Sequence, residues 1–190
     1  MRIAVIGTGN IGGTLGSKWR AGGQDVVYGS RNPSGTGPGG APVLGVPEAV
    51  NGADAVLLAV PGRAVPEVVS ALGAALDSTV VIDAVNRIGE PETSSHTLIA
   101  AAAPGARYVR AFNTLGWENF TDPLPGTDLF FAADPSARAA AEELISAVGL
   151  RPVYVGDAAA VPAVDSLAGL WFALVQRNSG NRKLAFRLLQ

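Results

Sequence analysis

The sequence contains no cysteine. That absence excludes disulfides, thiolate metal sites and a cysteine nucleophile, and it fits a reducing, cytoplasmic setting. Histidine occurs once, at His96, and the only lysines are Lys18 and Lys183, so schemes built on a histidine triad or a lysine base have almost no material. With one histidine and no cysteine, no metal site is expected. Charged residues make up only 16% of the chain, and the formal net charge of -2 comes without any basic cluster. Nucleic acid and anionic membranes therefore have no electrostatic footprint here, and any phosphate must be held locally. Long apolar runs are also missing. The first, Ile3 to Ile6, is too short for a signal-peptide core and reads as a strand. The longest, Ala158 to Val175, is interrupted by Pro162, Asp165 and Ser166; it falls short of the roughly 20 residues of a spanning helix and is expected to be a buried or interface helix.

What is present is a well-packed composition, 48% hydrophobic over 190 residues, enough for one sizeable core and too short for two ordinary domains. Short β-branched runs bounded by Gly or Pro alternate with Ala- and Leu-rich stretches, the pattern of βαβ units and a parallel sheet covered on both faces. Strands are expected at Arg2–Ile6, Asp25–Gly29, Ala55–Val60, Thr79–Asp83, Arg107–Phe112, Leu129–Ala132 and Pro152–Val155. Helices are expected at Gly12–Ala21, Ala64–Leu76, Ser95–Ala103, Ser136–Val148, Val161–Arg177 and Gly180–Leu189, with a short turn at Pro47–Asn51. The segment from Pro33 to Pro42 is almost entirely Gly, Pro, Ser and Thr and reads as a mobile loop. The resulting fold class is α/β, a Rossmann-type doubly wound, mainly parallel sheet forming one domain over residues 1–190, with residues 160–190 as a short C-terminal helical appendage.

The chemistry-bearing motif is Gly7-Thr8-Gly9-Asn10-Ile11-Gly12, which directly follows the first strand and opens a helix carrying Leu15 and Trp19. The three glycines serve different ends. Gly7 permits the tight turn, Gly9 lets backbone approach a pyrophosphate, and Gly12 lets helix and strand pack closely, while free N–H groups at the helix start point at the anion. A ligand-free strand-turn-helix junction is the competing reading, and it needs no glycines at these offsets. About 20 residues on, a NAD site places Asp or Glu; this chain places Ser30-Arg31-Asn32 after Gly29. A planar cation flanked by hydrogen-bonding side chains suits a 2′-phosphate, so the expected cofactor is NADP; the alternative is that Arg31 is a solvated charge at a loop start.

Together with Ala53-Asp54-Ala55-Val56-Leu57-Leu58-Ala59-Val60-Pro61, Ala111-Phe112-Asn113-Thr114-Leu115 and Gly149-Leu150-Arg151-Pro152, these motifs resemble the NADPH-dependent F420 reductases (F420H2:NADP oxidoreductases) over nearly the whole chain. The resemblance implies NADP across the carboxyl ends of the strands, with Thr8 to Ile11 on the pyrophosphate, Ser30 and Arg31 on the 2′-phosphate, and Val60 and Pro61 beside the nicotinamide ribose. It implies a hydride-transfer zone at Ala111, Asn113 and Thr114, where the deazaflavin F420 meets the nicotinamide. The chain reads Asn113-Thr114-Leu115-Gly116-Trp117 where F420-specific members read a His-Thr-Ile-Pro-like run.

Hydride transfer between two rings requires alignment more than acid–base help. Ala84 and Asn86, in the run Asp83-Ala84-Val85-Asn86 at a strand's carboxyl end, are candidates for contact with nicotinamide or ribose, although Asp83 and Asn86 also suit a turn. Asn113, polar in an apolar strand end, is a candidate for an amide or substrate contact. His96 is expected at the surface, and Trp117, Phe120, Trp171 and Phe172 could wall a flat slot or simply fill the core or a dimer contact. Three functions fit these residues: a reductase passing hydride between NADP and F420 or a flavin, a small imine or carbonyl reductase, and an NADP-binding redox sensor without catalysis. The partner is expected to be a small-molecule redox acceptor, and the apolar C-terminal helix points to a homodimer.

Overall fold

The computed structural model describes residues 1–189. Its sheet has eight strands: β1 Arg2–Ile6, β2 Asp25–Ser30, β3 Val43–Gly45, β4 Ala55–Leu58, β5 Val80–Asp83, β6 Arg107–Arg110, β7 Asp128–Ala133 and β8 Arg151–Gly156, in the order β3-β2-β1-β4-β5-β6-β7-β8. Six of the seven pairings are parallel, and only β6 with β7 runs antiparallel. The helices are α1 Asn10–Ala21, α2 Val46–Val50, α3 Val65–Leu72, α4 His96–Ala102, α5 Glu118–Thr121, α6 Arg138–Ser146 and α7 Val161–Arg177.

Alternation along β1 shows why both faces must be covered. Ile3 and Val5 join one apolar cluster with Leu15 and Trp19 of α1 and Leu144 and Ile145 of α6, while Ala4 and Ile6 join a second with Val65 and Val69 of α3 and Ile99 of α4. Side chains of successive strand residues point to opposite faces, so a strand apolar at every position demands helices on both. The Trp19 indole, donating to the Leu144 carbonyl at 2.9 Å, ties α1 to α6 across one of those layers.

Two expectations fail here, each for a tertiary reason, and a third holds only in part. Residues 33–42 are not a structureless loop: Gly37 and Ala41 are hydrogen-bonded at 2.7 Å, a 3₁₀ turn runs over Pro38–Gly40 against α1, Ala41 is fully buried, and Val43–Gly45 then adds an eighth strand to β2. Gly180–Leu189 is not a helix. The chain there is extended, with Phe186 bridged to Asp128 at the start of β7, because side chains capture its carbonyls: the Trp171 indole donates to Leu184 at 2.9 Å and Asn119 donates to Arg182 at 3.0 Å. Last, the Ala158–Arg177 helical stretch reaches 20 residues at a mean hydropathy of 1.7, so length and composition alone would let it cross a membrane. Val161, Val164, Ala168, Trp171 and Val175 are nonetheless buried on the sheet.

Candidate functional site

The chain leaves β1 toward β2 and β3, then returns for β4 on the other side of β1. Open α/β sheets hold ligands at such a reversal, outside the carboxyl ends of the strands. Gly7 sits there with φ +114°, and a Cβ on it would lie 2.5 Å from the Ala59 carbonyl oxygen after β4. Glycine is therefore required for the strand ends to approach. Gly9, by contrast, faces open space, with no atom within 4 Å of where its Cβ would stand. Gly9 caps α1 without a side-chain hydrogen bond, and the first turn of this 12-residue helix carries no acidic residue, so its amide donors are free for an anion.

Two cavities flank the turn. One, of about 260 Å³, is lined by Gly7, Thr8, Ser30, Arg31 and, from the α3 side, Glu67, Val68 and Ala71. The other, of about 250 Å³, is lined by Ile11, Ala84, Val85, Asn86, Phe112, Asn113, Trp171 and Phe172. Val60 and Pro61 line both, which makes one continuous trough across the turn. Thr8, Gly9 and Asn10 also open onto a groove along α1 toward Ser17 and Lys18. Gly12 is buried beneath the turn in close contact with Gly7, as its packing role requires.

Not every expected residue faces the trough. Asn32 is exposed and lines neither cavity; its backbone N–H donates to the Ser30 hydroxyl at 3.2 Å, shaping the turn that carries Arg31. Of the expected hydride-transfer zone only Asn113 lines the slot, since Ala111 and Thr114 are buried behind it. Phe120 belongs to the core, edge-on to Phe112 at 5.5 Å, and Trp117 packs against the core, leaving Trp171 and Phe172 as the aromatic wall. His96 is half-buried rather than superficial, with its ring 4.8 Å from that of Tyr108.

Behind the slot lies a buried charge network with no sequence signal beyond an arginine in an apolar strand. Arg110 of β6 is fully buried and paired with Asp83 at 3.5 Å and with Asp165 of α7 at 2.6 Å. Its Nη1 donates to the carbonyls of Asp83 and Val85, and its Nη2 donates to Asn86 Oδ1. Asp83 is thus structural: it also accepts from the amides of Val85 and Ser95 and from the Tyr108 hydroxyl at 2.9 Å. Burial, with Asp83 beside it, pushes the Tyr108 phenol well above its ordinary value, and burial raises the Asp165 carboxyl while Arg110 pulls it down. Asn86 is likewise occupied, its Nδ2 donating to the Asn113 carbonyl at 2.8 Å. The Asn113 side chain is only half engaged: its Nδ2 donates to Asp165 Oδ1 at 3.5 Å, while its Oδ1 is buried without a partner.

A NADP molecule fits these features: open space over Gly9, uncapped amides at α1, Arg31 in one cavity and an unpartnered carbonyl oxygen in the other. Fold and trough together are those of the doubly wound α/β class, whose ligands lie at such a reversal of strand order. Residues 2–87 match the model of the family described as NADP oxidoreductase, coenzyme F420-dependent. The whole chain is similar in fold to a candidate F420-dependent NADP reductase from Arthrobacter sp. FB24, with a TM-score of 0.85 at 20% identity and 100% of each chain covered. A hypothetical protein from Sinorhizobium meliloti matches at 29% identity and a TM-score of 0.71, over 84% of this chain and 87% of the other. A reductive aminase from Aspergillus terreus, in complex with NADPH4, cyclohexanone and allyl amine, matches at 17% identity and a TM-score of 0.74, and here the match covers 94% of this chain and only 62% of the aminase.

Proposed function

We propose that the protein passes hydride between NADP(H) and a flat ring acceptor of the F420 or flavin kind. The observation that carries this reading is the composition of the slot beside Asn113. Ala84, Val85, Phe112, Leu115, Trp171 and Phe172 give it apolar and aromatic walls, its polar lining is Asn86, Asn113 and Arg182, and among the described residues it holds no His, Lys, Tyr, Asp or Glu. A flat ring needs a wide apolar surface, whereas reduction of an imine or a small carbonyl calls for a proton donor at the reacting atom.

When bound, the nicotinamide supplies the hydride chemistry. The chain's own part is orientation: the amides of α1 and Arg31 fix the phosphates, Val60 and Pro61 hold the bend between the cavities, and Asn113 Oδ1 accepts a hydrogen bond from the carboxamide. Trp171 and Phe172 cover the ring and exclude water, and the accompanying proton comes from solvent. The working form in this proposal is a homodimer, supported by Leu170 and Leu174, which lie one turn apart on α7 and are 51% and 36% exposed.

Phe172→Ala separates the two substrates. It should slow turnover of a ring acceptor by about tenfold while leaving NADPH affinity within about twofold, because only the acceptor's cover is removed. Equal loss of both, or loss of NADPH binding alone, would place Phe172 on the cofactor rather than the acceptor.

A further inference from the structure

The buried arginine behind the slot does more than neutralise Asp83. Its donors reach three elements at once: the end of β5 through the carbonyls of Asp83 and Val85, the following turn through Asn86 Oδ1, and α7 through Asp165 at 2.8 Å from Nε. Asn86 extends the reach to a fourth point, the Asn113 carbonyl beyond β6. Val85, Asn86 and Asn113 line the slot, and α7 supplies its aromatic wall. Just beyond β6, Phe112 holds φ +62°, a left-handed conformation that a bulky side chain adopts only when its surroundings impose it. Every donor of this guanidinium is spent on groups that frame one end of the trough, whereas the Gly7 turn and the Arg31 cavity receive none.

The geometry points to Arg110 as the positioning residue of the nicotinamide end: its partners Asn86 and Asp165 hold the backbone carbonyl and the side-chain amide of Asn113, so it fixes the Asn113 side of the slot against which the nicotinamide half of NADP is held, and it has no part in holding the adenosine half. A fork-shaped cation is needed, since a lysine ammonium beside Asp83 could keep the charge but not reach Asn86 and Asp165 together. This role rests on NADP being the cofactor.

Calorimetry with two ligands tests it. NADP engages both cavities and 2′,5′-ADP only the adenosine cavity and part of the turn. Arg110→Lys and Asp165→Asn are each compared with wild type, thermal melting confirming that they are folded; Asp165 lies outside the slot lining, so its variant decides the matter if Arg110→Lys does not fold. The expected result is NADP binding weakened by about tenfold in either variant with 2′,5′-ADP affinity within about twofold of wild type. Folded variants in which both ligands weaken in parallel, or in which neither changes, would overturn the assignment and leave Arg110 a structural cation only. Wild-type protein that bound neither ligand would reject instead the cofactor reading itself.

Discussion

Arg31 is exposed, has no ion-pair partner among the described residues and lines the cavity beside Ser30, so its charge is free for a ligand phosphate. One charge-assisted contact is worth about 1.4 kcal/mol or more, a factor of about ten. Wild-type protein should accordingly bind NADP at least about tenfold tighter than NAD, and Arg31→Ala should remove most of that preference without changing NAD affinity; calorimetric titration of both cofactors measures it. Tyr108 yields a prediction about pH. Its phenol is buried against Asp83 and its folded value lies well above the ordinary 10.0. The unfolded chain therefore releases that proton first. Stability from this group is fully present below about pH 10 and is lost as pH climbs beyond it. Denaturant melts from pH 8 to 11 should show stability falling at the alkaline end, and Tyr108→Phe should flatten part of that slope; Tyr28, also raised by burial, adds to it in the same direction. At neutral pH the same variant should cost about 1–3 kcal/mol, because Asp83 loses a donor.

Among the elements, those governed by local rules are legible in the sequence. The apolar run before Gly7, the three glycines of the turn and Val161–Arg177 read directly, because burial on both faces and helical punctuation leave marks in sequence. The Gly/Pro-rich stretch misleads, since its glycines supply backbone conformations that fold it back on α1: Gly39 and Gly40 have φ of +65° and +76°. The C-terminal stretch misleads for the opposite reason. Asn181 to Leu189 looks helical, but its partners are distant residues, Asn119, Asp128, Arg151 and Trp171, which no local pattern announces. Arg110 is hidden in the same way, as one cation whose four partners are scattered from Asp83 to Asp165. If the extended C-terminal stretch is a clasp over β7 and α7, deleting residues from Gly180 onward should cost about 2–4 kcal/mol by exposing Trp171 and leaving the Trp171 and Asn119 donors without partners. Urea unfolding measures this, and an unchanged midpoint would show that the stretch merely lies on the surface.

Across the whole molecule, the reversal between β1 and β4 brings residues 7–12, 30–31, 60–61, 84–86 and 113 to one edge of the sheet. α7 contributes both to that edge, through Trp171 and Phe172, and to the outside, where Gly169, Leu170, Ala173 and Leu174 face solvent. A stripe of leucines beside small residues can meet its own copy closely about a two-fold axis. The dimer proposal predicts twice the chain mass of 19.3 kDa by light scattering, with Leu170→Glu giving monomers. Hydride transfer to a ring is tested by anaerobic mixing of wild-type protein and NADPH with F420, with FMN, and with a small aldehyde or imine in turn. The account predicts rapid loss of NADPH absorbance with at least one ring compound, matched one-to-one by loss of that ring's oxidised chromophore, and no comparable reaction with the aldehyde or imine. Rapid turnover of the aldehyde or imine with no response to either ring would contradict it.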